Sequence, residues 1–194
     1  MKKIFLASNS IARRDLLKKA KIKFHAIRPK VDENKLKDIF KNKRIPLNKM
    51  ALFLADNKCN SISSFYSDQL ILACDQVLIV ENEYLSKPNS ESEIINHLKK
   101  LQGKTHYLFT ANILKKNNKT LWKYMAKSSI RIRNLSDKEI EKYLEMYPFK
   151  ENNSIYQIEK AAAHLIETMN GNYYDILGLS LIELLSELRK RELV

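Results

Sequence analysis

The sequence is poor in the residues that punctuate or cross-link a chain. Of 194 residues, three are Gly, four Pro, two Cys and one Trp. Three glycines cannot supply a Gly-rich phosphate loop or a dinucleotide fingerprint, and so few Gly and Pro exclude collagen-like and low-complexity chains. Cys59 and Cys74 are too few for a disulfide framework, which points to reduced thiols in a cytoplasmic setting. No apolar run approaches the roughly 20 residues a spanning helix needs. The longest, Leu70–Val80, is broken by Asp75 and Gln76, and Ile4–Ala7 is too short for the core of an export signal. The histidines, at 25, 97, 106 and 164, have no metal-ligand spacing. No Ser–His–Asp order and no RNA-binding aromatic motif is evident.

Hydrophobic residues make up 44%, and Lys+Arg exceed Asp+Glu by 35 to 22, a net charge of +13. That is enough apolar surface for a folded core. The length fits one compact domain over residues 1–194, or two small halves around a cleft. The positive field attracts polyanions, free nucleotides as well as nucleic acids; a lysine-rich surface with no partner gives the same composition.

Lys3–Ala7 reads as a buried strand, followed by the polar break Ser8-Asn9-Ser10 and a helix over Arg13–Lys21. Phe24–Ile27 reads as a strand. Val31–Arg44 reads as irregular, with one helical turn near Leu36–Phe40, and Leu47–Ser61 as an amphipathic helix. Leu70–Val80 and Glu83–Leu85 form a hairpin about Glu81-Asn82. Three capping boxes, at Ser90/Glu93, Ser136/Glu139 and Ser180/Glu183, open helices reaching Leu101, Met146 and Arg191. Tyr107–Leu114 and Leu121–Arg133 read as strands about Asn117-Asn118. Pro148–Asn153 reads as loop, Ser154–Ile158 and Ala163–Thr168 as short strands, and Gly171 and Gly178 as turns. Interleaved helices, hairpins and buried strands make an α/β or α+β domain.

The sharpest chemical anomaly is Asp75, a carboxylate inside a strand apolar on both sides. Such a group needs a partner, a metal or a proton. It either closes a structural ion pair or does chemistry. Lys58, four residues after Leu54, falls on or beside the apolar stripe of its helix. It either snorkels past the core or enters a polar cleft. Lys87-Pro88 closes the hairpin that begins at the Asp75 strand. Ser8–Arg13 joins a strand to a helix start, where free N–H groups, a hydroxyl and an arginine suit phosphate. Glu33 is an acidic spot in a basic stretch.

These residues resemble the Maf family of nucleoside triphosphate pyrophosphatases along nearly the whole chain. The family opening L-A-S-x-S-P-R-R-x-x-L-L is similar to Leu6-Ala7-Ser8-Asn9-Ser10-Ile11-Ala12-Arg13-Arg14-Asp15-Leu16-Leu17. Val31-Asp32-Glu33, Ala55-Asp56-Asn57-Lys58-Cys59, Asp75-Gln76, Lys87-Pro88 and Gln102-Gly103-Lys104-Thr105-His106 follow in family order. Tyr156-Gln157-Ile158-Glu159-Lys160 and Gly178-Leu179-Ser180-Leu181 complete the series. The resemblance implies an α/β fold of the Maf and inosine-triphosphatase type: an elongated mixed sheet with flanking helices, a central cleft, and often a homodimer. It implies hydrolysis of a nucleoside triphosphate to a monophosphate and pyrophosphate with a divalent cation, Mg²⁺ or Mn²⁺. Roles in removing noncanonical nucleotides or arresting cell division come with it.

By matching position, Asp75 is the general base or a metal-linked carboxylate. Ser8, Arg13, Lys58 and Lys87 bind phosphates, and Glu33 with Asp75 holds the metal. Ala12, Gln76 and Glu159 fall where the family selects the base. The chain departs from the pattern at Ile11-Ala12, where the family has Pro-Arg or Pro-Trp, at Lys160 for glycine and at Ser180 for proline. Asp75-Gln76 is closer to the branch linked to methylated guanosine triphosphate than to the pyrimidine branch. The sequence also admits two rival readings. One is a basic nucleic-acid-binding protein, which explains the charge but not Asp75. The other is a catalytically silent Maf relative that regulates division.

Overall fold

Strand β3 (Leu70–Val80) organises the molecule, and its partners change along its length. On one edge it runs beside β5 (Thr105–Lys116) over Ile71–Ile79. On the other edge it pairs first with β1 (Ile4–Ala7), in parallel, as far as Ala73. It then pairs antiparallel with β4 (Glu83–Leu85), from Leu78 onward. Cys74–Val77 therefore has no strand on that edge. The computed structural model describes residues 3–43, 45–149 and 154–193. Within these, β2 (Phe24–Ile27), β6 (Lys119–Ile132) and β7 (Ile166–Asn170) extend the sheet to the order β2-β1-β3-β5-β6-β7, with β4 beside β3.

Strand alternation sends successive side chains to opposite faces. One face is covered by α2 (Glu33–Asn42) and α3 (Met50–Ser63), the latter preceded by a 3₁₀ turn at Leu47–Lys49. Ile71, Ala73, Val77 and Ile79 pack there with Phe109, Ala111, Ile113, Phe40, Leu54 and Ala55. The opposite face carries two separate apolar clusters. Leu70, Leu72 and Leu114 pack with α1 (Ile11–Lys19) and α7 (Leu181–Lys190). Val80, Leu108, Ile130 and Ile132 pack with α4 (Glu91–Leu101), α5 (Asp137–Met146) and the 3₁₀ segment Ala161–Leu165. Between these clusters, where the alternation calls for apolar residues, stand Gln76, Thr110 and Asn112. The short helix α6 (Tyr173–Ile176) lies against that polar seam.

With glycine so scarce, other residues take the left-handed turns. The β3–β4 and β5–β6 hairpins turn on Glu81-Asn82 (φ 49° and 60°) and Asn117-Asn118 (φ 50° and 58°). Two consecutive positive φ angles match the twist of the flanking strands, and Asn tolerates them better than most residues.

Several elements differ from the sequence expectation. Val31–Arg44 is not irregular: it holds a ten-residue helix, α2, because Asp32 caps it by accepting from the N–H groups of Asn34 and Lys35. Ser154–Ile158 forms bends and a turn rather than a strand. Over Ala163–Thr168 the chain is 3₁₀ as far as Leu165, and the strand begins at Ile166. Of the expected loop Pro148–Asn153, positions 150–153 lie outside the described residues. The capping boxes also differ. Ser136 and Glu139 make both reciprocal bonds. Ser90 accepts from Glu93 N–H while the Glu93 carboxylate bonds Asn89 N–H instead. Ser180 makes no side-chain cap at all, because its buried Oγ accepts from Asn112 Nδ2 at 2.7 Å.

Candidate active site

The unpaired stretch of β3 would leave backbone groups without partners, and side chains supply them. Cys74 C=O accepts a 2.7 Å bond from Arg13 Nη1, and Gln76 N–H donates to Asp75 Oδ1 at 2.8 Å. The break in the sheet is thus held open by an arginine and a carboxylate rather than closed by a strand.

Asp75 interrupts the apolar face under α3 and meets Lys58 there. Lys58 Nζ lies 2.5 Å from Asp75 Oδ2 and 2.8 Å from Glu33 Oε1. Lys58 and Asp75 are each 7% exposed, whereas Glu33 is partly open to solvent. Lys58 therefore does not snorkel. Burial alone would push its ammonium toward the neutral form, but the carboxylates of Asp75 and Glu33 outweigh that, and its pKa rises. Burial raises Glu33, but Lys58, Lys87 and Lys37 overcome it and the net shift is downward. Both groups stay ionised at neutral pH.

Arg13 enters from the other face of the sheet. Its Nε donates to Gly178 C=O at 2.8 Å, and its Nη1 reaches Ser8 Oγ at 3.4 Å as well as Cys74 C=O. Ser8 is buried and its hydroxyl also accepts from Ser10 N–H. Ser10 caps α1 by accepting from Arg13 N–H. Lys87, exposed just beyond β4, is close enough to feel the same charges. Although the residue as a whole is exposed, protein surrounding its ammonium partly desolvates it, and this, with Arg13 and Lys58 adding repulsion, lowers its pKa despite the attraction of Glu33 and Asp75. Ser8, Arg13, Glu33, Lys58, Asp75 and Lys87 are thus brought into one electrostatic neighbourhood from the β1–α1 connection, α1, α2, α3, β3 and the segment just past β4. The cations outnumber the carboxylates in it, and their mutual repulsion is what a polyphosphate would relieve.

The expected base-selecting residues are more dispersed. Ala12 lies on the first turn of α1, half-buried. Gln76 adjoins Asp75 with its side chain on the opposite face. Glu159 is exposed in the turn 158–160, beside Lys160, which bonds Tyr147 Oη at 2.7 Å. Sequence reading missed the supporting groups: Gly178 as the holder of Arg13, and Thr110 as the partner of Gln76. The only available signal was a polar residue interrupting the even positions of β5.

The model of the Maf family, described as Maf-like protein, matches residues 3–191. The chain belongs to the Maf family. A nucleoside triphosphate pyrophosphatase of Ruegeria pomeroyi is 32% identical over 197 residues, covering 98% of this chain and 97% of the relative. A 7-methyl-GTP pyrophosphatase of Bartonella quintana is 36% identical, covering 96% and 94%. Among solved structures, a HAM1 protein from Coxiella burnetii superposes with a TM-score of 0.54 at 14% identity, covering 98% of this chain and all of that one. That likeness shows the shared fold, a mixed α/β sheet flanked by helices.

A divalent cation, which the family implies, can be tested against the donors. Among the described residues no group of three or more His, Cys, Asp or Glu side chains forms a cage. Mg²⁺ commonly uses one or two carboxylates, with water and substrate phosphates completing its shell. Glu33 and Asp75 fit that pattern. Asp75 Oδ2, buried, has the Lys58 charge beside it but no aligned hydrogen-bond donor.

Proposed function

We propose that this Maf-family protein hydrolyses a nucleoside triphosphate to the monophosphate and pyrophosphate, in the break of strand β3. The observation that carries the proposal is the buried Asp75 carboxylate paired with Lys58, which also pairs with Glu33, where the sheet loses a strand and the charges of Arg13 and Lys87 converge. A structural ion pair has no need of the surplus cations or of the open edge. The relatives named as pyrophosphatases match over nearly the whole chain and support the same reading.

Arg13, Lys58 and Lys87 neutralise the triphosphate, with Ser8 and the N-terminus of α1 supplying neutral donors. Glu33 and Asp75, with phosphate oxygens, would hold a divalent cation, which supplies further charge neutralisation when bound. Water attacks the α phosphorus in line, forming a new P–O bond as the bond to the bridging α–β oxygen breaks. Asp75 takes the proton from that water, and pyrophosphate departs with its charge spread over the same cations. Lys58 lies between the two carboxylates and pairs with both, and a bound polyphosphate would compete with them for its charge. Two buried unpaired cysteines fit a reducing, cytoplasmic setting.

Pyrophosphate release from ordinary and modified nucleoside triphosphates, with Mg²⁺ or Mn²⁺, tests this directly. Asp75→Asn is expected to lower turnover by about 10³-fold or more while circular dichroism shows a folded chain. Wild-type turnover by that variant refutes the role of Asp75. A folded wild-type protein that releases no pyrophosphate from any triphosphate points to the catalytically silent reading.

A further inference from the structure

Arg13 is oriented by two carbonyls from different parts of the fold. Its Nη1 donates to Cys74 C=O on β3 at 2.7 Å, and its Nε donates to Gly178 C=O, between α6 and α7, at 2.8 Å. Two such bonds fix the plane of a guanidinium. Nη2 has no acceptor among the described residues, so it remains for a ligand. The angle at which it is presented depends on where the two carbonyls lie relative to each other. Cys74 is fixed by the sheet. Gly178 belongs to no strand and has φ +91°. The α6 side of its connection is fastened at Asp175 and Ile176, whose carbonyls accept from Gln76 and Thr110. Asn112 fastens the α7 side. It is the β5 neighbour of Cys74 in the ladder. Its Nδ2 donates to Ser180 Oγ at 2.7 Å, and its Oδ1 accepts from Ser180 N–H at 3.3 Å. A backbone N–H only donates, which fixes the sense of the amide. Both residues are fully buried, so water does not compete for these bonds. Ser180 has φ −72°, a value a proline ring would accept, but proline could make neither bond. Arg13, Cys74, Asn112, Ser180 and Gly178 thus close a loop of contacts.

We propose that Asn112 and Ser180 are positioning residues for phosphate binding: their reciprocal pair sets the place of Gly178 C=O, and through it the angle of the Arg13 guanidinium. The proposal rests on the pyrophosphatase reading above, in which Arg13 grips the polyphosphate. Both residues act through Arg13. Removing one partner leaves a buried donor or acceptor unpaired, and the connection shifts to satisfy it. A small displacement of a clamping arginine is enough to weaken its hold on a phosphate.

The experiment measures Kd for inorganic pyrophosphate by calorimetry with Mg²⁺, and kcat/KM for pyrophosphate release from nucleoside triphosphates. Asn112→Val suits a strand and removes both bonds. It should raise Kd by about tenfold and lower kcat/KM at least as much. Ser180→Ala removes one bond and should act in the same direction, less strongly. Both changes are then repeated in an Arg13→Lys background, since lysine keeps the charge but cannot span two carbonyls and a ligand. There Asn112→Val should change Kd by less than about twofold, because its route to the phosphate is gone. Thermal melts check folding, and if Asn112→Val fails to fold, Ser180→Ala carries the same comparison. An equal loss of affinity in both backgrounds means support of the fold alone and overturns the proposal. So does a folded variant with the wild-type Kd. A wild type with no affinity for pyrophosphate removes the phosphate site and the proposal with it. A wild type that binds pyrophosphate but releases none from any triphosphate instead removes the pyrophosphatase reading, and the Kd comparison still decides the role of the pair.

Discussion

Two buried lysines on the α3 side of the sheet invite comparison. Lys58 and Lys115 both have side chains 8% exposed, and both contact an aspartate. Lys115 Nζ, from β5, lies 2.7 Å from Asp56 and 2.6 Å from Asn60 Oδ1, both on α3. Its surroundings are complete: β5 is paired on both edges, and Asp56 is 43% exposed, so water shares the charge. Lys58 instead meets an aspartate as buried as itself, on a strand missing a neighbour, with Arg13 close enough to oppose its charge. A buried ion pair alone is therefore poor evidence of a site. The break in the sheet and the surplus of like charge around it are what separate the two.

Replacing each lysine by methionine breaks the comparison most directly. Lys58→Met strands the Asp75 carboxylate in a dry wall, which costs about 3–5 kcal/mol, and it should abolish pyrophosphate release. Lys115→Met leaves Asp56 free to turn to water, so stability should stay within about 1 kcal/mol and kcat/KM within about twofold. Urea unfolding and steady-state kinetics on the pair read both effects. Equal loss of activity in the two variants would show that the buried charge, not the break, is what matters.

A second contrast sets the charged break against the dry cluster beneath α4 and α5. There His106, fully buried, shares a hydrogen bond between its Nε2 and Tyr156 Oη. Burial lowers its pKa to about 4. The unfolded chain binds this proton near the ordinary value of 6.5, so between these pH values it holds more protons than the folded chain. Stability should fall as pH drops through that window, by up to roughly 3 kcal/mol from this group. His106→Leu should flatten the slope. Urea midpoints at pH 7 and pH 5 measure it, and an unchanged slope in the variant would locate the titration elsewhere.

How much of this was legible in the sequence depends on the range of the interaction. Strands β2 and β3 and the β3–β4 turn appear where period, turn residues and apolar runs place them, because those signals are local. Asp75 was legible for the same reason, as one polar residue in an apolar run. The break around it was not. It exists because β1 stops at Ala73 and β4 begins at Leu78, a matter of register between segments far apart in the chain. Helix α2 was legible only as one turn near Leu36–Phe40, because the lysines and asparagines around that turn carry little apolar signal; the Asp32 cap and the packing of Phe40 extend it. Since α2 carries Glu33, the fate of Lys58 could not be read either. Ser180 misled because a capping box presumes an exposed serine, and this one is buried against Asn112.

The smallest expected effect concerns the two thiols, which sit on opposite faces of the sheet, Cys74 in the break and Cys59 over Ile71, where β1 still pairs with β3. Burial pushes Cys59 up to about 12 and Cys74 up to about 11, so neither offers a thiolate near neutrality. Cys59 is on the buried side of α3, in the cluster that a global unfolding must open. Cys74 also belongs to a packed cluster, but its carbonyl is held by Arg13 rather than by a strand. If the break is held rigidly, a thiol reagent should label both cysteines at one slow rate, that of global opening. If instead the edge of β3 opens locally, Cys74 should react first, by a few-fold, and a saturating nucleoside triphosphate should remove the difference. Peptide mapping after timed labelling separates these outcomes. Preferential reaction of Cys59 would contradict both, since it would put the weakest packing under α3 rather than at the break.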